Sequence, residues 1–141
     1  MNMKPIRVLQ VVSSMNRGGV ETWLMHVLRK IDRTRFHFDF LVHDPRSGKY
    51  DGELQALGAT IIHGPPTGNP LEYARVFRQL MRQHGPYDVV HSHVHHFTGW
   101  VLWQAAANNI PIRIAHSHND TRAVDASGAI VRQWYLVAMR V

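Results

Sequence analysis

The chain has 141 residues, which is enough for about one domain with a hydrophobic core. Hydrophobic residues make up 45% of it and charged residues 18%, so the composition is globular and excludes an intrinsically disordered chain. The chain has no cysteine and therefore no disulfide, and its formal net charge of +6 favours anionic partners such as phosphorylated substrates, acidic lipids or nucleic acid.

The N-terminal residues, MNMKPIRVLQVV, lack the charged leader, apolar core and cleavage site of a signal peptide. No apolar run approaches the ~20 residues that a membrane span needs. We therefore expect a soluble or peripheral protein of the cytoplasm. The basic residues are scattered and form no nucleic-acid-binding module, which argues against a nucleic-acid partner.

The most informative stretch is SSMNRGGVE at residues 13–21, which follows a nearly continuous apolar run at residues 6–12. That run predicts a strand buried on both faces, and apolar residues at helical spacing over residues 20–31 predict a helix after the glycines. Gly18 and Gly19 lack a Cβ and can adopt positive φ, so backbone N–H groups at the helix start can approach a phosphate. A pair of glycines in this place more often only turns the chain. Neither G-x-G-x-x-G nor a phosphate loop ending in Gly-Lys-Ser/Thr is present, which argues against ordinary dehydrogenases and ATPases.

Strands and helices alternate along the remainder of the chain. Asn69 and Pro70 have the residue types of an N-cap and a first helical position. The alternation indicates an α/β fold with an open, mainly parallel, Rossmann-like sheet and helices on both faces. After the first strand, the predicted strands cover residues 36–42, 60–63, 87–91 and 112–115, and the predicted helices cover residues 53–57, 70–81 and 97–108, before a last apolar segment at 130–141.

The helix that starts at Pro70 is predicted to bury one stripe of side chains. Apolar residues at helical spacing define this stripe: Leu71, Ala74, Phe77, Leu80 and Met81. Arg75, Arg78 and Arg82 fall on the other side of the helix, where we expect a solvated face.

Two groups of histidines follow the fourth and fifth predicted strands. The carboxyl ends of parallel strands meet at one edge of a sheet and form its ligand crevice. We therefore expect both groups to lie near the Gly-Gly loop in a common cleft. His91, His93, His95 and His96 belong to the first group, and His116 and His118 to the second.

Imidazole binds zinc, copper and nickel, so a metal site must be considered at these histidines. The chain has no cysteine and no H-E-x-x-H helix, and an i, i+2 pair in an extended segment rarely aims both ligands at one metal. We therefore predict no native metal site. A Ser-His-Asp triad is also disfavoured, because no G-x-S-x-G elbow is present.

Three segments together carry a family resemblance: SSMNRGGVE after the first strand, YDVVHSH after the basic helix, and NIPIRIAHSHND around the fifth strand. In this order and spacing they resemble the N-terminal domain of GT-B-fold glycosyltransferases of retaining family 4, especially the capsular and exopolysaccharide enzymes. The resemblance implies that Gly18 and Gly19 face the donor phosphates and that His118 lines the reaction centre. His116 is the alternative, because it lies two residues earlier on the same face of an extended segment. Further cleft residues implied by the resemblance are Asn16, Arg17, His93 and Asn119.

The function that the resemblance implies is transfer of a sugar from a nucleotide-diphosphate sugar to a glycan or lipid-linked acceptor, with retention at the anomeric carbon. No cofactor and no metal are implied, and the reaction is expected in the cytoplasm. Family members continue into a second, donor-binding domain, so residues 1–141 are expected to be an incomplete N-terminal domain that is inactive alone.

Two alternatives remain open at this point. The chain could be a non-catalytic acceptor-binding partner of a separate catalytic subunit. Residues 130–141 could form an interfacial helix at the inner face of the membrane, or a helix that packs on the rest of the protein.

Overall fold

The structure is a computed structural model and describes residues 3–118. Strands and helices alternate along this part of the chain, as the sequence predicts. The strands are β1 (Ile6–Val12), β2 (Phe36–Val42), β3 (Ile61–His63), β4 (Val89–Ser92) and β5 (Ile112–Ala115), and the helices are α1 (Gly19–Lys30), α2 (Asp51–Ala56), α3 (Pro70–His84) and α4 (Thr98–Ala107), the last preceded by a short 3-10 helix at His95–Phe97.

The five strands form one sheet in the order β3-β2-β1-β4-β5, and all neighbouring strands pair in parallel. The predicted open, parallel, Rossmann-like sheet is therefore confirmed. The chain winds outwards from β1 through β2 to β3, and then returns to the other side of β1 with β4. The boundary between β1 and β4 is thus a topological switch point, where open α/β sheets commonly place their ligand crevice.

Helices cover both faces of the sheet, because side chains of a strand alternate between its two faces. On one face Val8, Phe38 and Phe40 pack with Leu24 and Leu28 of α1, in a cluster that also includes Leu54 of α2. On the other face a second cluster joins the alternate strand residues to α3 and α4: Leu9, Val11, Leu41, Val90, Tyr73, Phe77, Val101 and Ala105. The nearly continuous apolar run of β1 reflects burial on both faces.

The start of α3 was predicted correctly. The side-chain oxygen of Asn69 accepts hydrogen bonds from the N–H groups of Leu71 and Glu72, and Pro70 is the first helical residue. The buried stripe was predicted wrongly at one end, because Leu71 is 81% exposed while Tyr73 is fully buried. The predicted solvated face is confirmed, since Arg75, Arg78 and Arg82 are all exposed.

A charged group is buried in the amino-terminal half of the sheet. The carboxylate of Asp39 accepts hydrogen bonds from Arg7, at 2.9 Å, from the hydroxyl of Tyr87, at 2.9 Å, and from the backbone N–H of Thr60, at 2.9 Å, and it lies 3.0 Å from His37. Burial alone raises the pKa of Asp39, but the hydrogen bonds and the nearby charges outweigh burial, so the pKa is lowered overall. This network links β1, β2 and the segments before β3 and β4.

The apolar segment predicted at residues 130–141, and candidate residue Asn119, lie outside the described residues. The last described strand, β5, is an edge strand whose Ile112 and Ile114 are 52% and 40% exposed. The histidines of interest sit where β4 and β5 end.

Candidate functional site

Four histidine side chains meet at the carboxyl ends of β4 and β5. His91 and His93 are two residues apart and share one face of the sheet, as do His116 and His118. The two strands are neighbours, and their pairing continues past β5, where the N–H of His116 donates to the carbonyl of Ser92 at 2.9 Å. The predicted convergence is therefore confirmed for His91, His93, His116 and His118.

The four imidazoles form two hydrogen-bonded pairs. His91 Nε2 lies 3.0 Å from His116 Nδ1, and His93 Nδ1 lies 2.8 Å from His118 Nε2. His93 is buried, while the other three are partly exposed. The cluster is thus anchored in the protein at His93 and opens towards solvent.

Gln10 of β1 orients the buried histidine. Its side-chain Oε1 lies 2.9 Å from His93 Nε2, and both residues are buried. A carbonyl oxygen can only accept, so His93 Nε2 carries the proton and its Nδ1 presents a lone pair. That lone pair accepts the N–H of His118 Nε2, which leaves Nδ1 of a neutral His118 as an acceptor. Gln10, His93 and His118 therefore form a directed hydrogen-bond chain across three neighbouring strands.

Trp23 of α1 forms a wall beside the four imidazoles. Its ring centroid lies 5.2 Å from that of His116, 6.1 Å from those of His93 and His118, and 6.5 Å from that of His91, all in edge-on arrangements. The sequence predicts Trp23 as part of the buried stripe of α1, but the side chain is 42% exposed. Trp23 lies at the end of the sheet, beside the four imidazoles.

The local environment keeps His91 and His93 uncharged at neutral pH. Burial, together with the neighbouring imidazoles, lowers the pKa of His93 to about 3 and that of His91 to about 4. The pKa of His118 is also lowered, by burial and by His116 and His95. His91 and His93 therefore offer neutral N–H donors and nitrogen lone pairs, and no positive charge for phosphate.

The Gly-Gly loop follows β1 at the same edge of the sheet. Gly18 is the N-cap of α1 with φ −97° and ψ 178°, which is extended backbone, so Gly18 does not use the positive φ that glycine can adopt. A Cβ on Gly18 would meet the carboxylate of Glu21, which is the far end of a flexible side chain and can move aside. A Cβ on Gly19 would meet nothing within 4 Å. Trp23 follows Gly19 by about one helical turn, ~6 Å along the axis, so the loop borders the histidine cluster.

The other predicted cleft residues occupy different positions. Asn16 accepts the N–H of Lys49 at 3.2 Å through its side chain, and its own carbonyl accepts the N–H of Gly18 at 3.0 Å. It therefore ties the loop to the segment before α2. Arg17 is exposed on the same loop. His95 and His96 were predicted with the first histidine group, but they lie on the 3-10 helix that leads into α4 and are not part of the cluster of four imidazoles.

The arrangement has the geometry of a metal site that the sequence argument did not foresee. His91, His93 and His116 each place one ring nitrogen so that the three atoms lie within 4.8 Å of one another. We expected an i, i+2 pair of histidines seldom to direct both ligands at one metal, but that expectation applies to a single strand. Here the neighbouring strand brings the third nitrogen. The absence of a metal requirement remains a prediction.

Sequence comparison decides the family of this fold and site. Residues 18–141 match the family described as "Glycosyl transferase 4-like domain". The chain belongs to this family. Among curated proteins, it is 40% identical over 121 residues to "Putative glycosyltransferase EpsF" of Bacillus subtilis, covering 84% of this chain and 32% of that protein. It is 30% identical over 111 residues to the "Capsular polysaccharide biosynthesis glycosyltransferase CapH" of Staphylococcus aureus, covering 79% of this chain and 30% of that protein.

The chain thus spans about a third of the length of each of these two relatives. No solved structure matches it significantly. Among residues 3–118, no helix has both the length and the apolar character needed to cross a membrane.

Proposed function

We propose that this chain is the N-terminal, acceptor-side domain of a retaining GT-B glycosyltransferase that acts in capsular or exopolysaccharide biosynthesis. The parent protein transfers a sugar from a nucleotide-diphosphate sugar to a glycan or lipid-linked acceptor. Family membership and the names of the two relatives support this proposal. A second, donor-binding domain belongs to the parent, and residues 1–141 are inactive without it.

The single observation that carries the site assignment is the chain of hydrogen bonds from Gln10 through His93 to His118. A buried amide and a buried imidazole fix the ring of a third, partly exposed histidine at the switch point of the sheet. Fixed rings at such a position suit substrate orientation, because preorganised groups lose no free energy in becoming ordered during the reaction. His118 is therefore our candidate catalytic residue.

In the proposed reaction, the bond between the anomeric carbon and the donor phosphate breaks, and a bond to the acceptor oxygen forms on the same face. The acceptor proton leaves with the nucleoside diphosphate. His118 Nδ1, as a neutral acceptor, holds a hydroxyl group of the sugar or of the acceptor in place. Helix N-termini, including that of α1 after Gly18 and Gly19, and basic residues of the parent stabilise the departing diphosphate, so no metal is required.

The carboxylate of Glu21 lies beside Gly18 at the start of α1. A phosphate that approaches this helix start would meet that negative charge, so we propose that the Glu21 side chain moves aside when the donor binds. Asn16 ties the loop to the segment before α2, Arg17 borders the cleft, and His116 supports the neighbouring imidazole pair. We place the reaction in the cytoplasm, with a lipid-linked acceptor bringing the enzyme to the inner face of the membrane.

The test is transfer by the full-length parent, followed through release of the nucleoside diphosphate. His118→Ala is expected to lower kcat by at least ~100-fold, a loss within the range for a group that acts in the transition state. The matched control is His26→Ala, on the exposed side of α1, which should retain full activity. Unchanged turnover in a folded His118→Ala parent would remove His118 from the reaction. Release of nucleoside diphosphate by residues 1–141 alone would contradict the assignment of the donor domain to the rest of the parent.

A further inference from the structure

We infer that His91, His93 and His116 form a binding site for one divalent transition-metal ion of the zinc type, and that metal binding there inhibits sugar transfer. The inhibition rests on the proposed function, whereas the binding site does not. Imidazole nitrogen prefers Zn²⁺, Ni²⁺ or Cu²⁺ over the oxygen-seeking Mg²⁺ and Ca²⁺. The proposed ion is therefore a regulator of the site and not a cofactor of the reaction.

The distances are suitable for a shared ion. One nitrogen from each of the three rings lies within 4.8 Å of the other two, and His91 Nε2 lies 3.0 Å from His116 Nδ1. Nitrogen ligands at ~2.1 Å from a tetrahedral zinc are ~3.4 Å apart, so the rings need to shift by about 1 Å or less. The ligands come from two hydrogen-bonded neighbouring strands, which hold their backbones in register.

Gln10 supplies the supporting contact that metal-binding histidines usually have. A ligating imidazole typically donates its other N–H to a carbonyl or carboxylate oxygen, which fixes the ring and increases its basicity. His93 makes this contact to Gln10 Oε1 at 2.9 Å, and the partner is only 2% exposed. Nδ1 of His93 is consequently the nitrogen directed at the ion.

The metal ion should inhibit transfer because it competes with His118 for Nδ1 of His93. Nδ1 of His93 accepts the N–H of His118, 2.8 Å away, and this is the contact that orients His118. A metal ion on the same lone pair breaks that hydrogen bond and faces the His118 N–H with positive charge. His118 must then turn away or change its tautomer, and it loses the orientation proposed for transfer.

The binding half is tested on the 141-residue chain without a polyhistidine tag, by titration calorimetry with zinc chloride and by the absorption bands of bound Co²⁺. We expect one ion per chain and no binding of Mg²⁺. His91→Gln and His116→Gln should each weaken zinc binding at least ~100-fold, and Gln10→Leu, which removes only the supporting contact, should weaken it ~10-fold. The control His26→Gln, on the exposed side of α1, should bind zinc like the unmodified chain. Circular dichroism establishes that each variant is folded, and His116→Asn replaces His116→Gln if it is not.

Three outcomes would overturn the site: no zinc binding, no Co²⁺ bands, or zinc affinity that is unchanged in both His91→Gln and His116→Gln. The inhibition half is tested in the full-length parent, where zinc at saturation should reduce transfer at least ~10-fold and a chelator should restore it. Transfer that is unaffected by saturating zinc contradicts inhibition but leaves the binding site standing. Failure of the proposed function itself is seen separately, as absence of sugar transfer by the unmodified, metal-free parent.

Discussion

Gln10 and His93 are 83 residues apart in the chain, yet their side chains meet at 2.9 Å inside the sheet. Without this contact, Gln10 Oε1 and His93 Nε2 would each lose a hydrogen-bond partner inside the protein, which is costly. With Gln10 Oε1 as the acceptor, Nε2 of His93 carries the proton. That choice in turn determines how His118 is held.

The first prediction concerns Gln10 in the parent enzyme. Gln10→Leu removes the acceptor for His93 Nε2, so His93 can adopt either tautomer and His118 loses its fixed orientation. Loss of one such hydrogen bond corresponds to ~10-fold in rate. We expect kcat to fall by about this factor, with little change in KM for donor or acceptor, in steady-state transfer assays.

The control for this variant is Gln83→Leu, an exposed glutamine on α3 that makes the same chemical change elsewhere. It should leave kcat unchanged. A rise in KM with constant kcat for Gln10→Leu would indicate that Gln10 supports substrate binding and does not orient His118.

Trp23 should contribute to both stability and turnover. Trp23→Ala removes a ring whose edge-on contacts to four imidazoles are worth ~0.5–1.5 kcal/mol for an aromatic pair. We expect a loss of ~2 kcal/mol in the free energy of unfolding and a lower kcat/KM in the parent. Urea denaturation and transfer assays measure the two effects.

Trp103→Ala is the matched comparison, because Trp103 is 65% exposed on α4 and contacts Trp100 rather than the histidines. It should not alter kcat/KM. If both tryptophan variants lower kcat/KM equally, the wall beside the imidazoles has no special role.

His43 should make the protein less stable in mild acid. The pKa of His43 is lowered from 6.5 to about 4 by burial, and its Nε2 lies 2.9 Å from the hydroxyl of Tyr73. The unfolded chain therefore binds more protons between these two pH values. The stability that depends on neutral His43 is complete above about pH 6.5 and is lost as the pH falls towards about 4.

Removing the titrating group should flatten this part of the pH profile. His43→Gln keeps a polar contact for Tyr73, so its free energy of unfolding should fall less steeply between pH 6.5 and 4 than that of the unmodified chain. The difference is expected to be ~2 kcal/mol, measured by urea denaturation at a series of pH values. His26→Gln should retain the original slope, and an identical slope for His43→Gln would show that His43 is not the group responsible.

Asp39 should also make the protein less stable in acid. Unlike His43, it stabilises the fold in its charged form. Hydrogen bonds from Thr60, Tyr87 and Arg7, together with the charge on His37, lower its pKa in spite of burial. Its contribution is present above the unfolded pKa of about 3.8 and is lost as the pH falls through the lower, folded value. Asp39→Asn should therefore cost ~2 kcal/mol at pH 7, because charged hydrogen bonds are replaced by neutral ones.

The comparison for Asp39→Asn is Glu72→Gln, which removes an exposed carboxylate in the first turn of α3 and should cost under ~0.5 kcal/mol. Thermal and urea denaturation at pH 7 and pH 3 provide the measurement. The cost of Asp39→Asn should shrink at the lower pH. A cost that is the same at both values would mean that the charge of Asp39 contributes nothing.

Strands and helices could be predicted from the sequence where local interactions determine their bounds. The predicted bounds of β1, β2 and β5 coincide with the structure, because apolar runs are flanked there by polar or turn residues. The start of α3 was also correct, since the cap at Asn69 and Pro70 is a local interaction. The all-parallel sheet followed from the alternation of strands and helices.

The site was only partly accessible, because its key contacts depend on the register of distant strands. The sequence indicated that both histidine groups would share one edge, but not that His93 would be held by Gln10. The available signal was Gln10, a polar residue in the middle of the apolar run of β1, since a buried polar group needs a partner. Trp23 gave no such signal. In the sequence, an apolar residue at helical spacing that packs in the core cannot be told from one that extends beyond the core.

The most direct measurement is a double-mutant cycle of transfer rates in the full-length parent, with His118→Ala, Gln10→Leu and the two combined. If Gln10 acts through His118, the double variant transfers sugar no more slowly than His118→Ala alone, because the group that Gln10 helps to orient is already absent. If instead the two losses in kcat multiply, Gln10 and His118 act independently, and the hydrogen-bond chain through His93 is not part of the catalytic site.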